Sequence, residues 1–253
     1  MLAIVIPTIV ATLAFAWWFR ASNKRAVYRP HWVYSGRIEL LVWSIPALVI
    51  FFLGGVIWIG SHDLDPARPI AAKSVTPLEV QVVSLDWKWL FIYPAQEIAS
   101  VNHLVLPAGM PVHFSLTSAS VMNVFFVPRL GSMIYTMSGM VTQLNLQSDR
   151  PAELYGESAQ FSGDGFSDMH FTLQAVPADS FAHWVESVRR SAGPELDRAS
   201  YTELARQSRP ARPFTYSKVT DGLFMHVVTH ELAPGPGPQE GRGGPGVTAR
   251  TEQ

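Results

Sequence analysis

The sequence predicts a membrane two-helix hairpin followed by an all-β sandwich and short C-terminal helices. Three observations predict this fold class. Residues 1–60 contain two apolar runs of membrane-spanning length. From Leu78 onward, apolar residues recur at every second position in short runs that are separated by turn residues. From Asp179 the apolar spacing becomes helical again.

The two apolar runs are Met1–Phe19 and Ile38–Ile59, and we expect them to form a transmembrane hairpin over residues 1–60. A helix of about 20 residues covers the roughly 30 Å of bilayer hydrocarbon at about 1.5 Å per residue. The connection between the runs has five basic residues and no acid: Arg20, Lys24, Arg25, Arg29 and Arg37. Basic short loops stay on the cytoplasmic side. The sequence therefore predicts that both termini, and everything after residue 60, lie outside.

After a linker over residues 61–76, the alternating pattern predicts an antiparallel sandwich over residues 77–177. The apolar phase slips once, between the adjacent Val82 and Val83, and a β-bulge would produce such a slip. On the second phase, Ser84, Asp86 and Lys88 fall on the polar face.

The remaining residues predict two further segments. Helical spacing and an N-cap candidate indicate a helical extension over residues 178–232. Residues 233–253 are rich in glycine and proline, cannot bury a core, and are predicted to be disordered.

Composition excludes several functions. The net charge of −1 and a sequence pI of about 6.7 give no electrostatic basis for binding nucleic acid. The chain has no cysteine, which excludes disulfides, thiolate metal ligands and a cysteine nucleophile. The anchored sandwich instead favours an electron-transfer or assembly module at a membrane.

Three segments narrow this interpretation: Asp86–Pro94 (DWKWLFIYP), Ser120–Gly131 (SVMNVFFVPRLG) and Tyr155–Met169 (YGESAQFSGDGFSDM). Together with the hairpin, they make about residues 1–190 similar to subunit II of the haem–copper oxidases. That resemblance implies a cupredoxin-like sandwich in the periplasm of a bacterium and a multi-pass anchor in its inner membrane.

In the cytochrome c oxidase branch, the resemblance assigns a binuclear copper site to one histidine and a loop of two cysteines, glutamate, histidine and methionine. The corresponding positions here are Asn123, Ser158, Gln160, Ser162, Phe166 and Met169. The spacing is intact, but methionine is the one good copper ligand left among them. We therefore expect no metal and no catalytic residue in this chain.

The same substitutions resemble subunit II of bo- or ba-type ubiquinol oxidases, in which quinol reduces haem directly. The resemblance implies a proton-pumping quinol:oxygen oxidoreductase of aerobic respiration. Haem b, haem o or a, copper and ubiquinone are then expected in the partner subunit I, and subunits III and IV and membrane lipid as further partners. Two alternatives are an electron-accepting subunit II of a cytochrome c oxidase and a membrane-anchored cupredoxin-like assembly or binding factor.

Glu39 begins the second apolar run and is a functional candidate, because an ionisable residue near a span is rarely incidental. An interfacial acid, stabilised by the helix N-terminus and Arg37, is the other interpretation that the residues allow. The segment Ile38–Pro46 (IELLVWSIP) resembles the place where the oxidase family has a glutamate at the mouth of a proton-uptake channel. That resemblance makes Glu39 the proton-uptake candidate.

Further histidines and methionines are better explained as structural residues. His226 and His230 have a helical spacing that could bind zinc, but no third ligand is evident. Met133, Met137 and Met140 could form a thioether site, although such clusters more often serve as adaptable packing.

Overall fold

The computed structural model describes residues 2–27, 29–70, 76–131, 133–208 and 212–237. Contacts divide the chain into two units, Met1–Ser61 and His62–Gln253. The first unit contains α1 (Leu2–Trp18) and most of α2 (Gly36–Asp63), and neither helix has a buried residue. Helices that are apolar throughout and exposed on every side need lipid or another protein around them.

The length of α2, 28 residues, makes it the one described helix that is long and apolar enough to cross a membrane by length and composition. The other apolar helix, α1, has 17 described residues. At about 1.5 Å per residue, α1 extends for roughly 25 Å. A second crossing by α1 therefore stays a prediction.

The second unit is a sandwich of two sheets, so the sandwich prediction is confirmed. Its strands are β1 (Leu78–Leu85), β2 (Lys88–Tyr93), β3 (Ile98–Val101), β4 (His103–Pro107), β5 (Val112–Ser118), β6 (Asn123–Phe126), β7 (Met133–Thr136), β8 (Thr142–Leu146), β9 (Ala152–Ser158), β10 (His170–Val176), β11 (Glu195–Leu196), β12 (Phe214–Tyr216) and β13 (Lys218–Val219). Short helices follow the sandwich: α3 (Ala178–Arg190), α4 (Arg198–Leu204) and α5 (Leu223–Val228).

Among the described residues, one sheet has the strand order β12-β3-β2-β1-β5-β8 and the facing sheet the order β4-β10-β9-β6-β7. The sequence predicted antiparallel pairing, but β1 pairs with β5, and β4 with β10, in parallel. The reason is the path of the chain. After β3 it crosses to the facing sheet as β4, and it therefore returns to β1 in the same direction as β1.

The predicted bulge in β1 is wrong. The ladder from β1 to β5 is continuous from Leu78 to Ser84, and the ladder to β2 is continuous from Gln81 to Leu85. The apolar phase slips because the end of β1 is buried on both faces. Val82 points into the sandwich core, whereas Val83 belongs to a second apolar cluster on the outer face of the same sheet.

The C-terminal segment forms that second cluster, and it is not purely helical as predicted. The strand β12 adds an edge to the six-stranded sheet, and β11 pairs with β13. Apolar residues from this segment cover the outer face: Leu196, Tyr201, Leu204, Tyr216, Val219, Leu223, Phe224, Val227 and Leu232. An uncovered sheet face with this many apolar residues would be exposed to water, so the segment completes the domain.

The start of the predicted disordered tail is also a correction. Gly235 N donates to Ala119 O at 2.8 Å, and Gly237 N donates to the Asp86 carboxylate at 3.0 Å. These backbone bonds tie Gly235 and Gly237 to the sandwich, because buried polar groups of a folded domain need hydrogen-bond partners. Residues 238–253 lie outside the described residues.

Lys88 and Asp86, expected on a polar face, are buried beneath the C-terminal segment, with 2% and 4% of their surface exposed. Lys88 Nζ donates to Leu204 O at 2.5 Å, to Arg206 O at 2.7 Å and to Ser208 Oγ at 2.9 Å. Burial lowers the pKa of Lys88 from 10.5 to about 8, although the charges of Asp86 and Glu203 oppose this effect.

We expect the free energy of unfolding of the domain to depend on pH because of this buried ammonium. The unfolded chain holds the proton of Lys88 up to about pH 10.5, whereas the folded chain releases it near pH 8. Stability must then rise with pH between these values. The free energy of unfolding of the wild type, relative to Lys88→Met, should increase by about 2 kcal/mol from pH 8 to pH 9.5.

Urea unfolding of a fragment that begins at residue 76 measures this difference. Lys218→Met is the matched control, because Lys218 is an exposed ammonium paired with Glu195 at 2.9 Å. A wild-type curve parallel to that of Lys88→Met across the pH range would contradict the depressed pKa.

Candidate functional site

The six positions that resemble copper ligands lie around one end of the five-stranded sheet. Asn123 begins β6 and Ser158 ends β9, and these two strands are neighbours in the sheet. The other four positions are Gln160, Ser162, Phe166 and Met169, on the connection from β9 to β10. The structure buries Asn123, Ser158, Ser162 and Met169.

The buried polar groups of this site are hydrogen-bonded to one another. Ser158 Oγ donates to Asn123 Oδ1 at 3.1 Å, and Asn123 Nδ2 donates to Val121 O at 3.2 Å. Ser162 Oγ lies 4.0 Å from Met169 Sδ, at the limit of a weak hydrogen bond to sulfur. Four of the six positions therefore form two neutral pairs, which the backbone bond from Ser158 N to Met169 O at 3.1 Å connects.

The side chains of Gln160 and Phe166 do not take part in these hydrogen bonds. Gln160 contributes its main-chain oxygen, which accepts from Ser158 Oγ at 3.3 Å. The half-buried ring of Phe166 packs edge-on against the exposed Phe161, with ring centroids 5.6 Å apart.

Trp87 determines the shape of the loop from β9 to β10. It lies in the turn between β1 and β2 with a positive φ of 66°, and its Nε1 donates to Ser162 O at 3.1 Å. A Cβ on Gly165 would approach the Trp87 ring to 2.2 Å, so only glycine fits there. The sequence did not predict this contact, since a turn residue gives no sequence signal of what it touches across the domain.

The acid Glu39 lies in the first turn of α2 and is exposed. Trp43 Nε1 donates to Glu39 Oε2 at 3.0 Å, across one helical turn. Both residues belong to the segment Ile38–Pro46, and the indole of Trp43 orients the carboxylate of Glu39.

His226 and His230 each contact a neighbouring polar side chain. His226 Nδ1 lies 2.5 Å from Glu231 Oε2, and His230 Nε2 lies 2.8 Å from Ser138 Oγ. Within the part of the chain that the structure describes, no group of three or more His, Asp or Glu residues could hold a metal ion.

Comparison with known proteins identifies the family of this chain. Residues 78–176 match the family model "Cytochrome C oxidase subunit II, periplasmic domain", and residues 190–231 match "COX Aromatic Rich Motif". Ubiquinol oxidase subunit 2 of Acetobacter aceti is 50% identical over 230 residues, which are 90% of this chain and 74% of that protein. The chain belongs to the ubiquinol oxidase subunit 2 family.

Other members are nearly as similar. Cytochrome bo(3) ubiquinol oxidase subunit 2 of Pseudomonas aeruginosa is 48% identical over 229 residues, which are 90% of this chain and 69% of that protein. A crystal structure of the periplasmic domain of cytochrome oxidase subunit II from Bradyrhizobium japonicum has 22% identity and a TM-score of 0.42, over 44% of this chain and 91% of that one.

The side chains of this family member do not fit a binuclear copper centre. Such a centre needs two thiolates that bridge the metal ions, and neutral hydroxyls such as Ser158 Oγ and Ser162 Oγ are poor ligands for copper. The Ser158 hydroxyl already donates to the amide of Asn123, so binding a metal would also break a buried hydrogen bond.

We expect the wild-type periplasmic part to bind no stoichiometric copper. Restoring the five lost ligands should create a coloured copper–thiolate centre, because the strands and the Trp87 contact already hold the loop. The variant carries Asn123→His, Ser158→Cys, Gln160→Glu, Ser162→Cys and Phe166→His. Copper titration with visible absorption and metal analysis is the measurement.

The control carries Ser187→Cys and Ser191→Cys, which place two thiols on exposed serines around the end of α3 without the other ligands. A colour in the control would show adventitious binding. A folded five-residue variant that stays colourless would show that the loop has lost the geometry of a copper site.

Proposed function

We propose that this chain is the copper-free subunit 2 of a membrane-bound quinol oxidase in aerobic respiration. The observation that supports this most directly is the pair of serines at the two thiolate positions, Ser158 and Ser162, inside a family whose named members are ubiquinol oxidase subunits. An electron-accepting subunit of a cytochrome c oxidase would need thiolates there.

In the proposed complex, electrons from quinol do not pass through this chain. Haem b, haem o or a, copper and ubiquinone belong to subunit I, and subunits III and IV complete the assembly. This chain acts as a structural subunit: its sandwich covers subunit I on the periplasmic side, and its helices pack beside it. The complete exposure of α1 and α2 supports such a role, since apolar helices need apolar surroundings.

The proposed topology has two crossings of the bacterial inner membrane, with both termini and the sandwich in the periplasm. The four basic residues of the connection between α1 and α2, together with Arg37 at the start of α2, support a cytoplasmic loop. Protons for oxygen reduction would then be taken up from the side of the membrane on which Glu39 lies.

The rival proposal, an independent membrane-anchored assembly factor, differs in one measurable consequence. We expect the chain, purified from its own membranes in mild detergent, to bring haem-bearing subunits in a fixed ratio. Haem spectra and mass spectrometry of the purified material are the readout. A chain that purifies without haem in several mild detergents would contradict the proposal.

We further propose that Glu39 delivers protons to the neighbouring subunit. A carboxylate at a helix N-terminus keeps its charge at low cost and exchanges protons with water. The bond from Trp43 aims the carboxylate without neutralising it.

Glu39→Ala should lower quinol oxidase turnover while leaving haem content and subunit composition unchanged. Trp43→Phe should lower turnover less, because the carboxylate remains but loses its fixed direction. Glu39→Asp should be milder than Glu39→Gln, since only the former can titrate. Steady-state oxygen consumption across pH is the measurement.

Glu79→Gln is the matched control, because Glu79 is an exposed carboxylate on β1, remote in sequence from the proposed channel. If the Glu39→Ala variant turns over as fast as the wild type at every pH, then Glu39 is an interfacial acid without a role in proton supply.

A further inference from the structure

The connection between α1 and α2 lines an open basic cavity that the oxidase function does not use. Its volume is about 840 Å³, and it opens beside the last residues of α1. Three guanidinium groups and three aromatic rings line it: Arg20, Arg25, Arg29, Trp18, Phe19 and Trp32. No acidic side chain is among its described lining residues.

The positive charge in this cavity is largely uncompensated. Arg20 is partly engaged, since its Nη1 donates to Trp17 O at 2.9 Å and its guanidinium lies 4.8 Å from the centre of the Trp17 ring. Arg25 and Arg29 make no ion pair and no side-chain hydrogen bond with the residues that the structure describes. No acid occurs in the sequence between Arg20 and Arg37. The guanidinium groups of Arg25 and Arg29 are therefore available to a negatively charged partner.

We propose that this cavity binds the phosphate group of an anionic phospholipid. Arginine binds phosphate with paired hydrogen bonds, and two guanidinium groups with free donors suit a phosphodiester oxygen pair. The aromatic rings favour the boundary between headgroups and hydrocarbon, where such a phosphate lies. The cavity thus joins an anion site to an apolar wall, as a lipid with a charged head and an apolar tail requires.

The site rests on the proposed topology, which puts the connection at the anionic cytoplasmic leaflet. General attraction to that leaflet is the simpler explanation of a basic connection. The two explanations differ in one respect. General attraction depends on charge alone, so it treats Lys24 like its neighbour Arg25. A specific site depends on Arg25 and Arg29 because these two residues line the cavity. Lys24 is not among the lining residues, so a specific site should not depend on it.

The test uses the full-length chain in detergent micelles, titrated with phosphatidylglycerol, with phosphatidylcholine and with inorganic phosphate. Native mass spectrometry gives the fraction of lipid-bound protein. Arg25→Gln and Arg29→Gln should each weaken phosphatidylglycerol binding by about fivefold, the usual effect of one basic contact at a membrane surface. Lys24→Gln, the matched control, should weaken it less than twofold. Arg25→Lys should fall between, since it keeps the charge without the paired donors.

Three outcomes would overturn the proposal. Equal weakening by Lys24→Gln and Arg25→Gln would show general attraction. Displacement of phosphatidylglycerol by inorganic phosphate at matched concentration would show a site for a free anion. Loss of partner subunits from an oxidase that carries Arg25→Gln or Arg29→Gln would show that the cavity is a contact between proteins. Because the lipid titration uses this chain alone, its result does not depend on whether the oxidase assignment holds.

Discussion

The turn between β1 and β2 joins three segments that are far apart in the sequence. Asp86 accepts hydrogen bonds from Ser120 Oγ, from Gln207 Nε2 and from Gly237 N. Trp87 holds the loop from β9 to β10, and Lys88 donates to carbonyl groups at the end of α4. One turn thus positions the candidate site on one side and the C-terminal segment on the other. Each of these groups is buried, so each contact replaces hydrogen bonds to water that would otherwise be lost.

The interior of the sandwich shows how tightly this arrangement is packed. Trp89 lies with its ring centroid 5.5 Å from that of Phe125 and 5.7 Å from that of Phe171, both edge-on. A Cβ on Gly156 would approach Phe171 to 2.1 Å, so a larger residue there would displace this cluster. Trp89 Nε1 has no hydrogen-bond partner among the described residues. Aromatic packing must offset about 1–3 kcal/mol for that buried donor.

The positions that resemble copper ligands are held in place by contacts that need no metal ion. The positions of Asn123, Ser158, Ser162 and Met169 are held by strand pairing and by the Trp87 contact, neither of which needs a metal ion. Small polar residues fill the space and satisfy one another. The two apolar clusters that pack the domain do not include Asn123, Ser158 or Ser162.

The sequence by itself determined the elements with strong periodic or compositional signals. Apolar length indicated α2, alternation indicated the sandwich, and the resemblance to the oxidase family indicated that Asn123 and Ser158 belong to one site. These signals lie in neighbouring residues or at fixed spacings, so they can be read from the sequence alone.

The tertiary structure decided what depends on contact across the domain. It buried Lys88 and Asp86, and it made β12 the edge of a sheet. It also tied Gly237 to the sandwich, where the sequence suggested a free tail. Whether the second face of a sheet is covered depends on residues far away in the sequence. Two adjacent apolar residues, such as Val82 and Val83, fit a strand that is buried on both faces as well as a strand with a bulge, so the sequence cannot distinguish the two.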